Sequence, residues 1–243
     1  MKNLAWLLLT GVILLGVVGA DAGTIWNVAE EFSTAGNPNG AWSYGTLVTY
    51  SETSREFVPF STPDAAAADG STFAAWHDED WNVNGKIGEN LGPNPIDEWG
   101  WYCEVGQVLM GSPLTVRSTT IRWTAPADMT VDVSAMFSGQ DTDGTESAVY
   151  VLLNNTTVYS GYVSGFIGRA ANGYADAFGA TPNQSYSCSG LEVSVGDVVY
   201  FAMYGMGYTR HTSLTATVTE VPEPMTLSLL GLGGVLCVVR RKK

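Results

Sequence analysis

Two short stretches rich in tryptophan and acidic residues are the part of the sequence most able to do chemistry. The first is Trp76-His-Asp-Glu-Asp-Trp81, and the second is Trp99-Gly-Trp-Tyr102. Aromatic rings in loops stack on the apolar faces of sugar rings, while nearby carboxylates accept hydrogen bonds from sugar hydroxyls. The pattern makes Trp76, Trp81, Trp99, Trp101 and Tyr102 candidates for a glycan-stacking platform. The alternative is that these tryptophans form a satellite core over the ends of the fold.

A second acidic stretch, Asp141-Thr-Asp-Gly-Thr-Glu146, has the character of a calcium loop. Oxygen ligands alternate along it and a glycine permits a sharp bend, as calcium loops require. The pattern predicts a calcium site at Asp141, Asp143 and Glu146, although a polar hairpin turn explains the same residues. The consecutive residues His77 to Asp80 are a poor transition-metal site, because neighbours in a loop rarely converge on one ion.

Catalytic motifs are scarce in this chain. It contains two histidines, His77 and His211, and it has no nucleophile-elbow, zinc-protease or phosphate-binding glycine motif. The prediction is therefore a protein that is not an enzyme. A secreted glycoside-active enzyme stays open as an alternative, because paired carboxylates cannot be recognised from sequence spacing.

The elements that must position these residues are short β-strands. Apolar residues alternate along Ser118–Thr124, which places Thr119, Ile121 and Trp123 on one face, and again along Met129–Phe137. Trp123 is expected to pack in the core. Further strands are predicted at Ala148–Leu153 and Thr156–Tyr159 around an Asn154-Asn155 turn, at Leu191–Val195 and Val198–Tyr204 around Gly196-Asp197, and at Ser213–Thr219. This spacing predicts an all-β fold, an antiparallel sandwich.

Both ends of the chain differ from this middle. Residues 1–22 combine Lys2, an apolar run and an A-x-A site, which predicts a secretory signal helix cut after Ala22. Residues 222–243 contain fifteen uncharged residues, Met225–Val239, followed by four cations. That helix would reach roughly 22 Å, short of a hydrocarbon core of about 30 Å. The remaining segment, 23–221, is predicted to be a single exported domain.

The C-terminal segment resembles the PEP-CTERM sorting signal of bacteria that make extracellular polysaccharide. The resemblance rests on the Pro-Glu-Pro motif, the apolar helix and the basic cluster, which here are Pro222, Glu223, Pro224, Arg240 and Arg241. It implies recognition by a membrane exosortase, cleavage near the motif, and release from a transient inner-membrane anchor to the cell surface or matrix. The alternative is a permanent transmembrane helix.

Residues 116–219 also resemble a known class of ectodomain. They carry an R-W-x-A-P strand, an F-x-G-x-D-x-D turn, an N-N hairpin and a V-G-D strand entry, as do jelly-roll ectodomains similar to carbohydrate-binding modules. Residues 37–45 resemble the start of such domains. The resemblance implies a jelly-roll β-sandwich and, as a possible partner, extracellular polysaccharide. Residues 50–115 match no motif.

Charge and cysteine content narrow the function further. Eleven Lys and Arg oppose 24 Asp and Glu, and five of those cations lie in the predicted terminal segments. So acidic a surface repels nucleic acid and anionic membranes, which disfavours both as partners of the domain. Cys103 and Cys188 remain after Cys237 leaves with the tail. They form a candidate disulfide in an oxidising compartment, and the alternative is two separate buried thiols.

The sequence therefore predicts an exported, non-catalytic protein of the cell surface or extracellular matrix that binds polysaccharide. A purely structural envelope or matrix protein without glycan binding is the main alternative.

Overall fold

The computed structural model describes residues 23–51, 54–64, 72–78, 85–98, 100–112, 117–141, 144–166, 181–205 and 211–222. Contacts divide the chain into two units. One is Ile25–Glu220, and the other comprises Met1–Thr24 and Val221–Lys243. The predicted signal helix and sorting helix lie outside the described residues. Within the described ranges, no helix has the length and apolar character needed to cross a bilayer.

All regular elements in the described residues are β-strands, which confirms the all-β prediction. Their bounds are β1 Ile25–Asn27, β2 Trp42–Ser51, β3 Ser54–Pro59, β4 Thr62–Asp64, β5 Phe73–His77, β6 Lys86–Asn90, β7 Ile96–Glu98, β8 Trp101–Cys103, β9 Val108–Gly111, β10 Arg117–Thr124, β11 Met129–Gly139, β12 Thr145–Leu153, β13 Thr156–Gly165, β14 Asn183–Val193, β15 Val198–Gly205 and β16 His211–Glu220.

Two antiparallel sheets and one hairpin make up the fold. The eight-stranded sheet has the order β14-β11-β16-β9-β6-β5-β4, with β1 also paired to β16. The six-stranded sheet has the order β13-β12-β15-β10-β2-β3, and β7 pairs with β8. From β9 to β16 the chain changes sheet at every step except the β12–β13 hairpin, so that β14-β11-β16-β9 faces β13-β12-β15-β10. Two four-stranded blocks linked in this way form a jelly roll.

The main core lies between the two sheets and is built by alternation. Thr119, Ile121 and Trp123 are fully buried, as their spacing predicts. The Trp123 ring meets the edge of the Trp26 ring at 5.4 Å, which confirms that Trp123 is a core residue. Opposite strands contribute side chains such as Val133 and Phe137 to the same cluster. The three apolar clusters formed by the described residues lie within Ile25–Glu220, so this unit has its own core and is expected to fold as an isolated 23–222 fragment.

The predicted turns are formed by the expected residues. Asn154 has a φ of 52° in the β12–β13 hairpin, and Gly196 has a φ of 87° before β15. The Asp197 carboxylate accepts hydrogen bonds from the Ser194 amide at 2.9 Å and from the Asn154 side chain at 3.1 Å. These hydrogen bonds lower the pKa of Asp197, and the bond from the Ser194 backbone has the larger effect. Local turn chemistry therefore fixes both connections.

Candidate functional site

The structure brings together residues from the Trp99–Tyr102 stretch and the Asp141–Glu146 stretch. Trp101 in β8 forms an antiparallel bridge with Asp141, which follows β11. The neighbouring amide of Tyr102 donates to the Gln140 carbonyl at 3.0 Å. The β7–β8 hairpin therefore docks at the end of β11, where β16 also begins. We call the cluster of Phe73, Lys86, Trp101, Asp141 and His211 the Trp101 cluster.

Asp141 and His211 form the polar centre of the Trp101 cluster. The Asp141 carboxylate accepts hydrogen bonds from the backbone amide of His211 at 2.6 Å and from its Nδ1 at 3.0 Å. The side chains of Asp141 and His211 are 2% and 12% exposed, respectively. An imidazole that donates from Nδ1 to a carboxylate keeps Nε2 as its acceptor, so this pair sets both the orientation and the tautomer of His211.

Aromatic rings and one cation surround that pair. The Trp101 ring stacks on His211 with centroids 5.5 Å apart, and it lies 5.3 Å from Phe73. Lys86 Nζ is 5.0 Å from the Trp101 centroid and 5.5 Å from the Phe73 centroid, which is cation–π geometry. Burial lowers the pKa of Lys86 to about 8, against the attraction of the Asp64 and Asp141 charges. The Lys86 charge is therefore held at a desolvation cost.

Gly111 makes room for this arrangement. A Cβ at this position would lie 3.0 Å from Lys86 Cγ and 3.5 Å from His211 Cδ2. The first of these approaches is tight enough to push the lysine stem away from its place on the rings. The glycine in β9 therefore allows the long Lys86 side chain to cross the sheet surface.

The predicted glycan platform is not formed by the tryptophans that the structure describes. Trp76 is 5% exposed in the main core, where its Nε1 donates to the Ser33 carbonyl at 2.7 Å. Trp101 is 8% exposed in a satellite core with Cys103 and Leu109, which agrees with the alternative prediction. Both rings are covered on strands, so neither offers an open face to a sugar. Trp81 and Trp99 lie outside the described residues.

Tyr102 is the one described member of that platform with a partly exposed side chain. It is half-buried, and its hydroxyl donates to Glu104 Oε1 at 2.6 Å. Its ring meets the edge of Phe166 at 6.2 Å. Tyr102 therefore belongs to the rim of the β7–β8 hairpin.

The calcium prediction needs a correction at Asp141. Both carboxylate oxygens of Asp141 bind His211, and Glu146 lies in β12 opposite Ser164. Asp143 is outside the described residues. Among the residues with described positions, no group of three or more His, Cys, Asp or Glu side chains has the arrangement of a metal site. In this structure Asp141 orients a histidine.

The candidate disulfide is also not formed, because Cys103 and Cys188 are both free thiols. Cys103 is fully buried, and its Sγ donates to the carbonyls of Gln107 at 3.4 Å and Glu104 at 3.6 Å. Burial raises the pKa of Cys103 to about 12. Cys188 is half-buried in β14. The structure corresponds to the alternative of separate thiols, with Cys188 less buried than expected.

The sorting motif falls almost wholly outside the described residues. Pro222 follows β16 and is exposed, whereas Glu223, Pro224, Arg240 and Arg241 lie beyond the described part of the chain. Recognition by an exosortase stays a prediction from the sequence.

A second candidate surface lies on the outward face of the six-stranded sheet. Val149, Val163 and Met203 point into the core, so the residues between them point outward. Ala148 lies directly between Tyr204 of β15 and Tyr162 of β13. Tyr162 is 51% exposed, while Tyr204 and Tyr150 are half-buried. We call Ala148, Tyr150, Tyr162 and Tyr204 the tyrosine face.

The tyrosine face carries aromatic side chains on both sides of Ala148. Tyr150 stands opposite Ala202, which is 1% exposed and packs with Leu47 and Leu152 in a separate apolar cluster, so the accessible part of the face is around Ala148 and Tyr162. The Cα atoms of two tyrosines that flank an alanine on adjacent strands are about 9 to 10 Å apart, since each strand spacing is about 4.8 Å. Ring faces and hydroxyl groups on such a surface suit a flat, hydroxyl-rich ligand.

Strand β3 limits the tyrosine face on one side. A Cβ at Gly45 would lie 2.9 Å from Phe57 Cζ, so β3 comes close to the outward side of β2 there. The Arg122 guanidinium carbon lies 4.3 Å from the centroid of the Phe57 ring, and the centroids of the Phe57 and Tyr200 rings are 6.0 Å apart. Arg55 donates to the Asn155 carbonyl and, at 3.4 Å, to Thr157 Oγ1. These contacts cover Tyr200 and leave Tyr162 exposed.

Sequence reasoning missed the tyrosine face, although its signal was present. Tyr150, Tyr200 and Tyr204 occupy the outward positions of strands that were predicted correctly. Tryptophans in irregular segments gave the more obvious indication, because loops are the usual place for binding residues. The outward positions of a regular strand carry the same information once its core positions are known.

Comparisons with known proteins give no family for this chain. No protein-family model matches the sequence, and no curated protein does. One similar solved structure is the CBM36-1 domain of a multidomain xylanase from the hindgut metagenome of Trinervitermes trinervoides. It shows 10% identity and a TM-score of 0.30, covering 58% of this chain and all of that domain.

Two further solved structures belong to longer chains. The Agl-KA catalytic domain is 14% identical with a TM-score of 0.28, covering 49% of this chain and 23% of that one. A Podospora anserina GH26-CBM35 β-(1,4)-mannanase is 10% identical with a TM-score of 0.28, covering 84% of this chain and 29% of that one. At these TM-scores the similarities carry no conclusion about what this chain binds.

Proposed function

We propose that this chain is an exported, non-catalytic β-sandwich protein of the cell surface or matrix that binds polysaccharide through its tyrosine face. The observation that carries the proposal is the exposed Tyr162 ring, set across Ala148 from Tyr204. Export and sorting by an exosortase rest on residues 1–22 and 222–243 and belong to the same proposal. Calcium is not required for binding at this face.

Sugar rings suit this surface for a physical reason. The axial hydrogens of a pyranose form an apolar face that packs on an aromatic ring, while its hydroxyls bond to polar groups at the ring edges. Ser160 lies beside Tyr150 across the strand pair and is exposed. Tyrosine supplies both kinds of contact from one side chain, at a small cost in conformational entropy.

The direct test is binding of the 23–222 fragment to an array of neutral and acidic polysaccharides. We expect Tyr162→Ala to raise Kd about tenfold, which corresponds to about 1.4 kcal/mol for the loss of one stacked ring. Tyr102→Ala is the matched control, because it removes a half-buried tyrosine at the β7–β8 hairpin. If the fragment binds none of the polysaccharides, a purely structural protein without glycan binding becomes the better explanation.

A glycoside-active enzyme is the second candidate, and the Asp141–His211 pair is the observation that favours it. An oriented imidazole with an accepting Nε2 is a common general base. The pair, however, lies beneath the covered ring of Trp101. We expect no release of reducing ends from any polysaccharide that binds. Release that Asp141→Asn abolishes would replace the proposal with a hydrolytic function.

A further inference from the structure

One side of the sandwich ends in two long edge strands, β13 in the six-stranded sheet and β14 in the eight-stranded sheet. Thr181 already bridges Ser164 of β13 and donates its Oγ1 to the Tyr162 carbonyl at 3.2 Å, so the open part of the β13 edge is 156–161. Exposed residues recur along both strands, including Ser160 and Tyr162 in β13 and Ser185 and Ser187 in β14. Edge strands of this kind present backbone N–H and C=O groups that can pair with another strand.

These two strands are almost without charge in a strongly acidic protein. Glu192 is the only charged residue in either β13 or β14, and neither strand contains proline. The chain as a whole carries a net charge of −13. Like-charged copies repel each other through most of their surface, and this side is where that repulsion is weakest.

The opposite side of the sandwich is protected. Strand β4 has three residues, which include Pro63 and Asp64. Strand β3 carries Arg55, Glu56 and Pro59. Short edge strands, prolines and charges are the features by which proteins prevent edge-to-edge pairing. Strand pairing is therefore blocked on the side of β3 and β4. On the other side, Asn183–Cys188 contains neither proline nor charged residues that would prevent it.

The two open edges are held side by side. The Tyr159 ring lies 5.6 Å from the Tyr186 ring, and the Tyr159 hydroxyl donates to Gln184 Oε1 at 2.9 Å. Strand β14 pairs with β11 in unbroken register from Ser138–Asn183 to Val133–Cys188, before the irregularity near Gly190. The regular segment, 183–188, is therefore a straight template next to β13.

We propose that a second copy of this chain pairs with this side, antiparallel and about a two-fold axis, so that residues 183–188 of β14 meet the same residues of the second copy. A two-fold contact uses the same surface on both copies and closes on itself. Because the other side is blocked, assembly stops at the dimer. The inference concerns assembly and is independent of whether the tyrosine face binds a glycan.

Sedimentation velocity of the 23–222 fragment over a range of concentrations tests the proposal. We expect a monomer–dimer equilibrium that shifts toward dimer with added salt, as charge repulsion is screened. The double variant Ser185→Lys/Ser187→Lys should be monomeric, because like charges then face each other across the paired strands. Thr215→Lys/Thr217→Lys is the matched control and should dimerise like the parent, since it adds the same charges to the inner strand β16.

Hydrogen exchange identifies the surface involved. Amides of residues 183–188 should exchange more slowly at the concentration where the dimer forms, and this protection should vanish in the β14 lysine variant. A fragment that stays monomeric throughout would overturn the proposal. So would a dimer that survives the β14 substitutions, or an open series of larger assemblies.

Discussion

At the scale of single residues, burial shifts the pKa values of several polar side chains in this protein. Lys86 lies against two aromatic rings, and burial holds its pKa near 8. Glu89 is 6% exposed in β6, and burial raises its pKa to about 7. Burial also raises the pKa of Tyr44 above its ordinary value, with the Glu31 and Glu89 charges adding to the effect. The proton affinity of such groups therefore couples folding to pH.

Glu89 gives the clearest pH dependence. Its pKa rises from 4.5 in the unfolded chain to about 7 in the fold, so the folded state binds the proton more tightly between these values. The contribution of Glu89 to stability is therefore complete below pH 4.5 and is lost as the pH rises to 7. Glu89→Gln should remove this loss and raise the free energy of unfolding at pH 8 by up to about 3 kcal/mol, at about 1.4 kcal/mol per pKa unit.

Urea unfolding at pH 5 and at pH 8 measures this effect. The control is Glu192→Gln, which removes an exposed carboxylate and should leave the difference between the two pH values unchanged. If the Glu89→Gln variant keeps the full pH dependence of the parent, the buried carboxyl is not its source.

At the scale of elements, two additions to the jelly roll depend on a few aromatic contacts. The β7–β8 hairpin is joined to the rest of the fold by backbone bonds to Asp141 and Gln140 and by Trp101, which packs on Phe73, Lys86 and His211. Strand β3 is held by Phe57 between Arg122 and Tyr200. Each element has few residues of its own to bury, so its position follows from side chains supplied by the sandwich.

Trp101→Ala should release the β7–β8 hairpin. Replacing a buried tryptophan by alanine lowers the free energy of unfolding by about 3 to 5 kcal/mol. The packing lost here is the side-chain packing between the β7–β8 hairpin and the sandwich. We expect amide exchange across 96–103 to become much faster, while β11, β12 and β15 remain protected. Tyr102→Ala, on the rim of the same hairpin, should have a much smaller effect. Unchanged protection of 96–103 in the Trp101 variant would show that other interactions hold the hairpin.

At the scale of the whole molecule, location and assembly decide what a protein of this kind can do. The compact unit Ile25–Glu220 contains every described strand, and the predicted signal and sorting segments are outside it. We propose that these segments direct the Ile25–Glu220 unit to the cell surface or matrix, where it can meet both polysaccharide and further copies of the chain. A dimer with one tyrosine face on each copy would bind a polymer twice, which raises its apparent affinity.

The export proposal predicts a defined mature chain. Expressed in a bacterium with an exosortase, the protein should be recovered from the cell surface with Gly23 as its first residue and without the basic cluster at 240–243. A triple alanine variant of Pro222, Glu223 and Pro224 should stay in the membrane fraction with its tail attached. Mass spectrometry of both ends of the protein measures this. Recovery of the intact chain from the cytosol would contradict the proposal.

The second half of the fold could be predicted from the sequence because its signals are local. Alternation along Ser118–Thr124 identified the buried face, and the residues Asn154 and Gly196-Asp197 marked the turns that the structure contains. Side chains alternate between the two faces of a strand, so the pattern of apolar residues within a strand indicates which of them face the core. The strands before residue 112 lack this regularity in sequence and were not predicted.

The roles of individual side chains depended on the tertiary structure. Asp141 and His211 are 70 residues apart in sequence, and no local pattern connects them. Trp101 is covered because distant strands supply Phe73 and His211, whereas Tyr162, on the edge strand β13, is 51% exposed. The sequence alone determined which residues form strands in the second half of the chain, since alternation and turn residues there depend on near neighbours. Only the packing of distant strands decided which aromatic rings meet solvent, because exposure is a property of everything around a residue.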